Sequence, residues 1–472
     1  MSISRRSLLF APLLAAATRA QTKKPPLNVV LILADDLGWS DLGCYGADLH
    51  ETPNIDRLAR EGVRFTQAMS PSPVCSPTRA SIMTGKHPAR LGMTIWHEGA
   101  VTSQAGKPQG NRKLIEAVAE PNLPLKETTL AEVLHDAGYR TAVVGKWHLG
   151  TAGFGPETQG FDINVGGTHW GAPATFFHPF RGSQRFGGEF RYVPGLGFGK
   201  PGDYLTDRLT DEAIRIIDEA SPQPFFLYLA HHAPHTPIEA KKEMVEKYKA
   251  KLKPGMHHQN ATYAAMIESF DESVGRIRDH LRRRGIDRNT VVIVTSDNGG
   301  FINESEGQKV TDNHPLRSGK GALYEGGIRV PLIVYWPGVT KGGSITCDEP
   351  VVSTDLFKTI CELAGKSAPA EAGDGLSLIS LIKDPQQRLP REDFFFHYPH
   401  YYPTTSPVSA IRTRDWKLLE YYEDGHVELY DLRNDPQERH DVANSNAERT
   451  ASMRTRLNHW KREVNARLPH SR

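Results

Sequence analysis

The 472-residue chain has only four cysteines, Cys44, Cys75, Cys347 and Cys361. That is too few for a disulfide-stapled scaffold, and no pair has metal-ligand spacing, which excludes a cysteine-bound zinc centre. A Cys347–Cys361 disulfide formed after export is left open by the spacing alone. Long apolar runs are also missing. The single run near the N-terminus stops at Ala17, too short for a permanent membrane anchor. No charge of one sign dominates, with 57 Lys and Arg against 55 Asp and Glu. Three of the arginines, Arg5, Arg6 and Arg19, belong to the N-terminal leader; the remaining 54 basic residues face 55 acidic ones, a net of −1. A nucleic-acid footprint is therefore absent from the totals. There is no internal repeat, and 38% hydrophobic residues suffice for a globular core, with length for one large domain and a smaller one.

What is present begins with that leader. Arg5-Arg6, the apolar run from Leu8 and the small-residue end Thr18-Arg19-Ala20 read as an export signal over residues 1–20. The paired arginines suggest the twin-arginine type, which carries folded proteins to the periplasm or beyond. A mature protein without a stable membrane anchor is expected.

From residue 27 the grammar is α/β. Apolar strands at Leu27–Ala34, 140–144, Phe225–Ala230 and 291–295 alternate with amphipathic helices at 52–62, 128–138, 203–220 and 263–284. Residues 150–203, rich in Gly, Pro and aromatics, read as long loops over a site. Near 368–384 the composition shifts. Short strands at 409–412, 416–422 and 427–430, closed by a helix from about 446 to 464, predict an antiparallel C-terminal subdomain. The expected organisation is a catalytic domain over 21–385 and a subdomain over 386–472 that serves packing.

The chain is organised around Val74-Cys75-Ser76-Pro77-Thr78-Arg79. Ser76 can cap a helix, Pro77 suits its first position and Gly85 its left-handed stop. The sulfur then lies at the positive end of the helix with Arg79 one turn on, where negative charge on residue 75 is stabilised. Four strands end in residues with chemistry: Asp35-Asp36, Lys146 and His148, His235, and Asp297-Asn298. In an open α/β sheet such ends face one crevice. Asp35, Asp36, Asp297 and Asn298 offer hard oxygen ligands, suited to Ca²⁺ or Mg²⁺. Arg79, Lys146 and Lys320 supply positive charge for an anion with several oxygens, and His148 and His235 can move protons. Taken one at a time, Cys75 also reads as a small buried apolar residue, Asp35-Asp36 as a solvated turn and Lys320 as a loop lysine. His231 and His232 read better as makers of local hydrogen bonds.

Together these residues resemble the formylglycine-dependent, type I sulfatases of the alkaline phosphatase superfamily. The resemblance is carried by Cys75-Ser76-Pro77-Thr78-Arg79-Ala80-Ser81, Thr84-Gly85, Gly145-Lys146-Trp147-His148-Leu149-Gly150, and Gly319-Lys320-Gly321 with Tyr324-Glu325-Gly326-Gly327. Met83 stands where the family usually has leucine. The resemblance implies a large mixed sheet flanked by helices, with the smaller antiparallel α+β subdomain at the C-terminus. It implies that a separate formylglycine-generating enzyme oxidises Cys75 to formylglycine, whose hydrate is the nucleophile. It also implies that Asp35, Asp36, Asp297, Asn298 and residue 75 bind Ca²⁺. By the same resemblance Lys146 holds sulfate oxygens, His148 takes a proton from the second hydroxyl, and His235 with Lys320 serves the leaving oxygen, His235 as donor.

A sulfated carbohydrate cut at a chain end is the expected substrate, because aromatic and histidine residues crowd the loops. Trp96, His97, His169, Trp170 and His178, with Arg317, are the candidate contacts. Two rivals remain from the sequence: a phosphate or phosphonate ester hydrolase on the same scaffold, and an unmodified glycan-binding protein.

Overall fold

A computed structural model describes residues 26–472 apart from 103–105, 197 and 221. The expected signal, residues 1–20 with Arg5 and Arg6, lies outside the described residues. In chain order the elements that position the site are β1 (Asn28–Ala34), α1 (Pro53–Glu61), β2 (Val63–Phe65), α2 (Cys75–Thr84), α3 (His97–Thr102), α4 (Leu130–Asp136), β3 (Arg140–Gly145) and β4 (Ile163–Val165). They continue with α5 (Leu205–Ala220), β5 (Phe225–Ala230), α6 (Ala261–Arg283), β6 (Thr290–Ser296), β7 (Leu332–Tyr335), β8 (Ile345–Cys347) and α7 (Asp355–Leu363).

Eight strands form one sheet in the order β8-β2-β7-β6-β1-β5-β3-β4. The five from β6 to β4 run parallel, while β7 lies antiparallel to both β6 and β2. All seven residues of β1 are buried, as the unbroken apolar run predicts for a strand covered on both faces. Side-chain alternation then divides the core. Val29, Leu31 and Leu33 pack with α2, α4 and α7, whereas Val30, Ile32 and Ala34 pack with α1, α5 and α6. The result is a helix–sheet–helix sandwich.

Local chemistry explains the helix limits. Asn260 caps α6 by accepting the Tyr263 N–H at 3.0 Å, and Thr129 and Glu132 form a reciprocal capping box on α4 at 3.1 and 2.7 Å. The Cys347–Cys361 disulfide left open by the sequence is not formed. Both are free thiols in the same apolar core, where they act as small hydrophobes.

The C-terminal sheet has four strands rather than three: β9 (Phe394–Tyr398), β10 (Val408–Arg412), β11 (Trp416–Tyr421) and β12 (Val427–Asp431), all antiparallel neighbours. One face, with Val408, Ala410 and Leu419, packs against Met69, Val74 and Ile328 of the larger part. The other, with Ile411, Leu418 and Leu429, is covered by α8 (Ala447–Glu463). No helix among the described residues is long and apolar enough to cross a membrane.

Candidate active site

Four adjacent parallel strands, β6, β1, β5 and β3, deliver Asp297-Asn298, Asp35-Asp36, His235 and Lys146 with His148 to one crevice at their carboxyl ends. Helix α2 brings Cys75 and Arg79 to the same place. It begins at Cys75 itself, with extended Val74 before it, one to two residues earlier than Ser76 and Pro77 suggest. Ser76 does not cap. Its hydroxyl donates to the His148 carbonyl at 2.7 Å and accepts the His97 N–H at 3.1 Å, tying three segments of the site together. Gly85 closes the helix in the left-handed conformation, φ 67°, as expected.

The charges are buried and interlocked. Lys146 Nζ donates to Asp35 Oδ2 at 2.7 Å, Lys320 Nζ to Asp36 Oδ2 at 2.8 Å and Arg79 Nε to Asp297 Oδ2 at 2.9 Å. Asn298 Nδ2 donates to Asp36 Oδ1 at 2.8 Å. Burial pushes Asp35 up to about 8, with Asp297 and Asp36 adding to the effect and Lys146 opposing it. Burial works on Asp36 in the same sense, but Lys320 and His235 outweigh it and hold that carboxyl below the usual range. The Cys75 thiol is pushed up to about 11 by burial despite Lys146 and Lys320, so it remains protonated at neutral pH. The helix end alone does not make a thiolate here.

The donor set fits a hard divalent cation. Ligand atoms of Asp35, Cys75 and Asp297 lie within 4.8 Å of one another, as do those of Asp35, Asp36 and His235. Asp35 Oδ1 and Asn298 Oδ1 are buried oxygens without a hydrogen-bond partner. Such orphans are costly unless something else pairs with them. With oxygen donors in the majority, Ca²⁺ or Mg²⁺ suits the site and Zn²⁺ does not.

His235 is held on both ring nitrogens, and its Nε2 also lies 3.5 Å from Asp36 Oδ2. Its Nδ1 is 2.8 Å from the Thr236 carbonyl, which assigns the proton to that nitrogen, and its Nε2 lies 3.1 Å from Lys320 Nζ. Burial pushes His235 down to about 3, and the Lys320 charge adds to that. Lys320 Nζ and His235 Nε2 thus face each other in the cavity lining as the candidate donors to the leaving oxygen, His235 being the one the sequence reading names. Neither His231 nor His232 makes the expected local hydrogen bond: both ring nitrogens of His232 are buried without a partner, and His231 reaches Ser273 Oγ on α6 at 2.9 Å.

A cavity of about 310 Å³ opens onto these groups, lined by Asp36, Cys75, His148, His235 and Lys320. Its outer walls are Trp96, Glu98, Arg191, Phe301 and Tyr402. Of the expected substrate contacts, only Trp96 is in this lining. His97, His169 and Trp170 stand behind it in a chain of rings, with centroids 5.5 and 4.7 Å apart. His178 packs on Phe180, away from the lining. Arg317 is corrected outright: it donates to Tyr430 Oη at 2.9 Å and the Glu438 carbonyl at 2.8 Å and covers the Tyr324 ring, so it joins the two parts of the molecule. The subdomain expected only to pack supplies Tyr402, whose ring lies so close to Gly321 that a Cβ there would meet it at 2.0 Å. With φ +91°, that position requires glycine twice over. Gly299 meets a similar limit, its missing Cβ falling 1.9 Å from the Gly326 carbonyl.

Comparison with known proteins agrees with this architecture. The profile of the family described as Sulfatase matches residues 27–366, and that described as N-sulphoglucosamine sulphohydrolase, C-terminal, matches residues 318–463. A protein named Sulfatase from Formosa agariphila is 32% identical, over 91% of this chain and 86% of its own length. The N-acetylgalactosamine-6-sulfatase of Rattus norvegicus is 35% identical over 80% of this chain and 70% of its own. The crystal structure of Ps i-CgsB superposes with a TM-score of 0.75 at 30% identity, over 92% of this chain and 93% of that one. The mixed sheet with its buried charge cluster at the strand ends, together with these matches, fits a type I sulfatase of the alkaline phosphatase superfamily. The chain belongs to the sulfatase family, and its activity is sulfuric ester hydrolysis.

Proposed function

We propose that this sulfatase removes sulfate from the end of a sulfated carbohydrate, using the hydrate of formylglycine made from Cys75 and a bound Ca²⁺. The observation that carries the reading is the open charge cluster: three buried carboxylates, Asp35, Asp36 and Asp297, leave Asp35 Oδ1 and Asn298 Oδ1 unpaired beside Cys75. A thiol held neutral by burial is a poor nucleophile, so an oxygen at position 75 makes better use of the same setting.

Asp35, Asp36, Asp297 and Asn298 would hold the cation, with residue 75 completing the set. The ion would polarise the sulfate, and the hydrate would supply the attacking hydroxyl. Arg79, anchored on Asp297 and on the Lys146 carbonyl at 2.9 Å, stabilises negative charge at residue 75. Lys146 would bind sulfate oxygens, and Lys320 would sit with His235 by the leaving oxygen. The leaving oxygen takes its proton from the Lys320–His235 pair, and His148 accepts one from the hydroxyl group at residue 75.

The cavity and the relatives support the substrate class. A volume of about 310 Å³ walled by Trp96, Phe301 and Tyr402 suits one sugar ring rather than a through-running polymer. Ps i-CgsB is seen in complex with k-i-k-neocarrahexaose, and another relative is named N-acetylgalactosamine-6-sulfatase. A panel of sulfated mono-, di- and polysaccharides, with phosphate analogues, tests the reading. Release of sulfate from chain ends supports it; activity confined to lipid or aryl sulfates, or faster phosphate release, contradicts it. A formylglycine-generating enzyme would act before export through the Arg5-Arg6 signal, so an Arg5→Lys, Arg6→Lys double variant is expected to accumulate inside the cell as active enzyme. Normal export of that variant would refute the twin-arginine assignment.

A further inference from the structure

Glu98 stands in the cavity wall without a part in the reaction described above. It lies in the first turn of α3, a segment placed by the bond from the His97 N–H to Ser76 Oγ, and Ser76 in turn holds the His148 carbonyl. This brings Glu98 Oε2 within 2.6 Å of His148 Nε2. The other carboxylate oxygen accepts the Gly171 N–H at 2.8 Å and lies 3.6 Å from Arg191 Nη2. Arg191 is itself fixed by Glu189 at 2.9 Å and the Ala172 carbonyl at 3.1 Å. His148 is held as firmly. Its backbone is left-handed, φ 61°, an uncommon conformation for a histidine, and its N–H donates to the Thr168 carbonyl at 2.8 Å. Its other ring nitrogen, Nδ1, is buried and has no hydrogen-bond partner.

A carboxylate can only accept, so the 2.6 Å contact puts a proton on Nε2. A neutral imidazole protonated there carries its lone pair on Nδ1. The electrostatics agree. Burial would raise Glu98, but His148 and the Gly171 N–H outweigh it and hold the carboxyl below its usual range, while burial pushes His148 down to about 3, with Glu98 opposing and Lys146 and Arg79 helping. We propose that Glu98 is a positioning residue, which fixes His148 as the Nε2–H tautomer and so makes Nδ1 the atom that accepts a proton from residue 75. The proposal rests on the reading of residue 75 as the nucleophile. It adds a residue, an atom and a tautomer to that reading, with Gly171 and Arg191 setting the carboxylate.

The test is Glu98→Gln. Glutamine is nearly isosteric but has one acceptor for two facing donors, the Gly171 N–H and the His148 Nε2–H. When its amide nitrogen faces the ring, the proton must move to Nδ1, the wrong tautomer for a base. In ¹⁵N-histidine spectra of the full-length enzyme, with His148 assigned by difference from His148→Gln, the wild type should show Nε2 protonated and Nδ1 bare. Glu98→Gln should populate the Nδ1–H form and lower kcat about tenfold or more, with KM changed less than about threefold. Wild-type spectra with Nδ1 protonated overturn the proposal. So does a variant that keeps the wild-type tautomer, or one that changes tautomer and keeps its kcat. If Glu98→Gln does not fold, the wild-type spectrum decides alone. Peptide mass spectrometry over Cys75 separates the two readings: active enzyme with unmodified Cys75 sinks the nucleophile assignment, while the tautomer at His148 still stands or falls by its own spectrum.

Discussion

Two clusters of fully buried charge lie a few residues apart in sequence, one around Lys320 and one around Glu325, and they are completed in different ways. In the second, Glu325 Oε1 meets Arg412 Nε at 3.0 Å and Lys417 Nζ at 3.2 Å, and Oε2 accepts from Arg329 Nε at 2.7 Å. Glu438 takes the Glu325 N–H on one oxygen at 2.7 Å and faces Lys417 with the other at 2.9 Å. Every carboxylate oxygen there lies within 3.2 Å of a cation or an N–H of the protein, although Glu438 Oε1 meets Lys417 as an ion pair without hydrogen-bond geometry. Around Lys320 three carboxylates, Asp35, Asp36 and Asp297, face three cations, Arg79, Lys146 and Lys320, but the geometry does not close. Asp35 Oδ1 has no hydrogen-bond partner, with Arg79 Nη2 as far off as 3.9 Å, and Asn298 Oδ1 has none either. Burying a charge costs free energy that only good partners offset. A closed cluster joins two parts of a fold; an open one is completed by ligands.

The largest way to break the comparison is Cys75→Ala. Turnover should fall by about 10⁴-fold or more, because the attacking atom is gone, while the unfolding free energy changes by less than about 1.5 kcal/mol. Steady-state kinetics beside denaturant unfolding read both, and near-normal turnover would end the account. Glu325→Gln should show the reverse. With Arg412 and Lys417 buried and under-paired, about 3–5 kcal/mol of stability should go, while kcat per folded molecule stays within about threefold. Third comes the cation. Chelated protein should lose activity, and Ca²⁺ at about a hundred times its Kd should restore it and add about 2.7 kcal/mol of stability, an increment that Asp297→Asn removes and Glu325→Gln leaves. Restoration by Zn²⁺ alone would contradict the oxygen donor set.

The smallest effect sharpens the comparison at a third buried group, His258, where Nδ1 meets Asp48 Oδ1 at 2.7 Å and Nε2 lies 3.3 Å from Asp41 Oδ1. Burial alone would lower this histidine, but Asp41 and Asp48 raise it to about 8. Because the folded value exceeds the unfolded one, the protonated pair stabilises fully below pH about 6.5 and the contribution fades as pH rises through about 8. It amounts to about 2 kcal/mol, so His258→Gln should flatten the stability profile over that window. A variant with an unchanged profile would show that His258 does not titrate there.

Much of the fold was legible because β1 and β5 are almost wholly apolar and β3 and β6 have apolar centres, and a parallel strand announces its carboxyl end by the polar residues that follow. Asp35, Lys146 and Asp297 could be found that way. Glu98, Arg191, Phe301 and Tyr402 could not: they come from short elements and loops, Tyr402 from the turn between β9 and β10, and only tertiary contacts bring them to the cavity. Arg317 misled for a related reason. A cation beside the Gly319-Lys320-Gly321 turn looks like an anion ligand until Tyr430 and Glu438, more than a hundred residues on, are seen to hold it. Likewise Tyr324-Glu325-Gly326-Gly327 carries no chemistry. Glu325 ties the subdomain, and the glycines let backbones touch. The helix start at Cys75 rather than after it reflects Ser76 being used as a bridge to His97 and His148 instead of a cap.

The central claim, that the open cluster is built around an oxygen nucleophile at position 75, is tested most directly by mass spectrometry of the tryptic peptide 65–79 from active enzyme. The account predicts an aldehyde in place of the Cys75 thiol, trapped by a hydrazide reagent, in a fraction that tracks specific activity. A fully active preparation whose peptide carries only the unmodified thiol would contradict it.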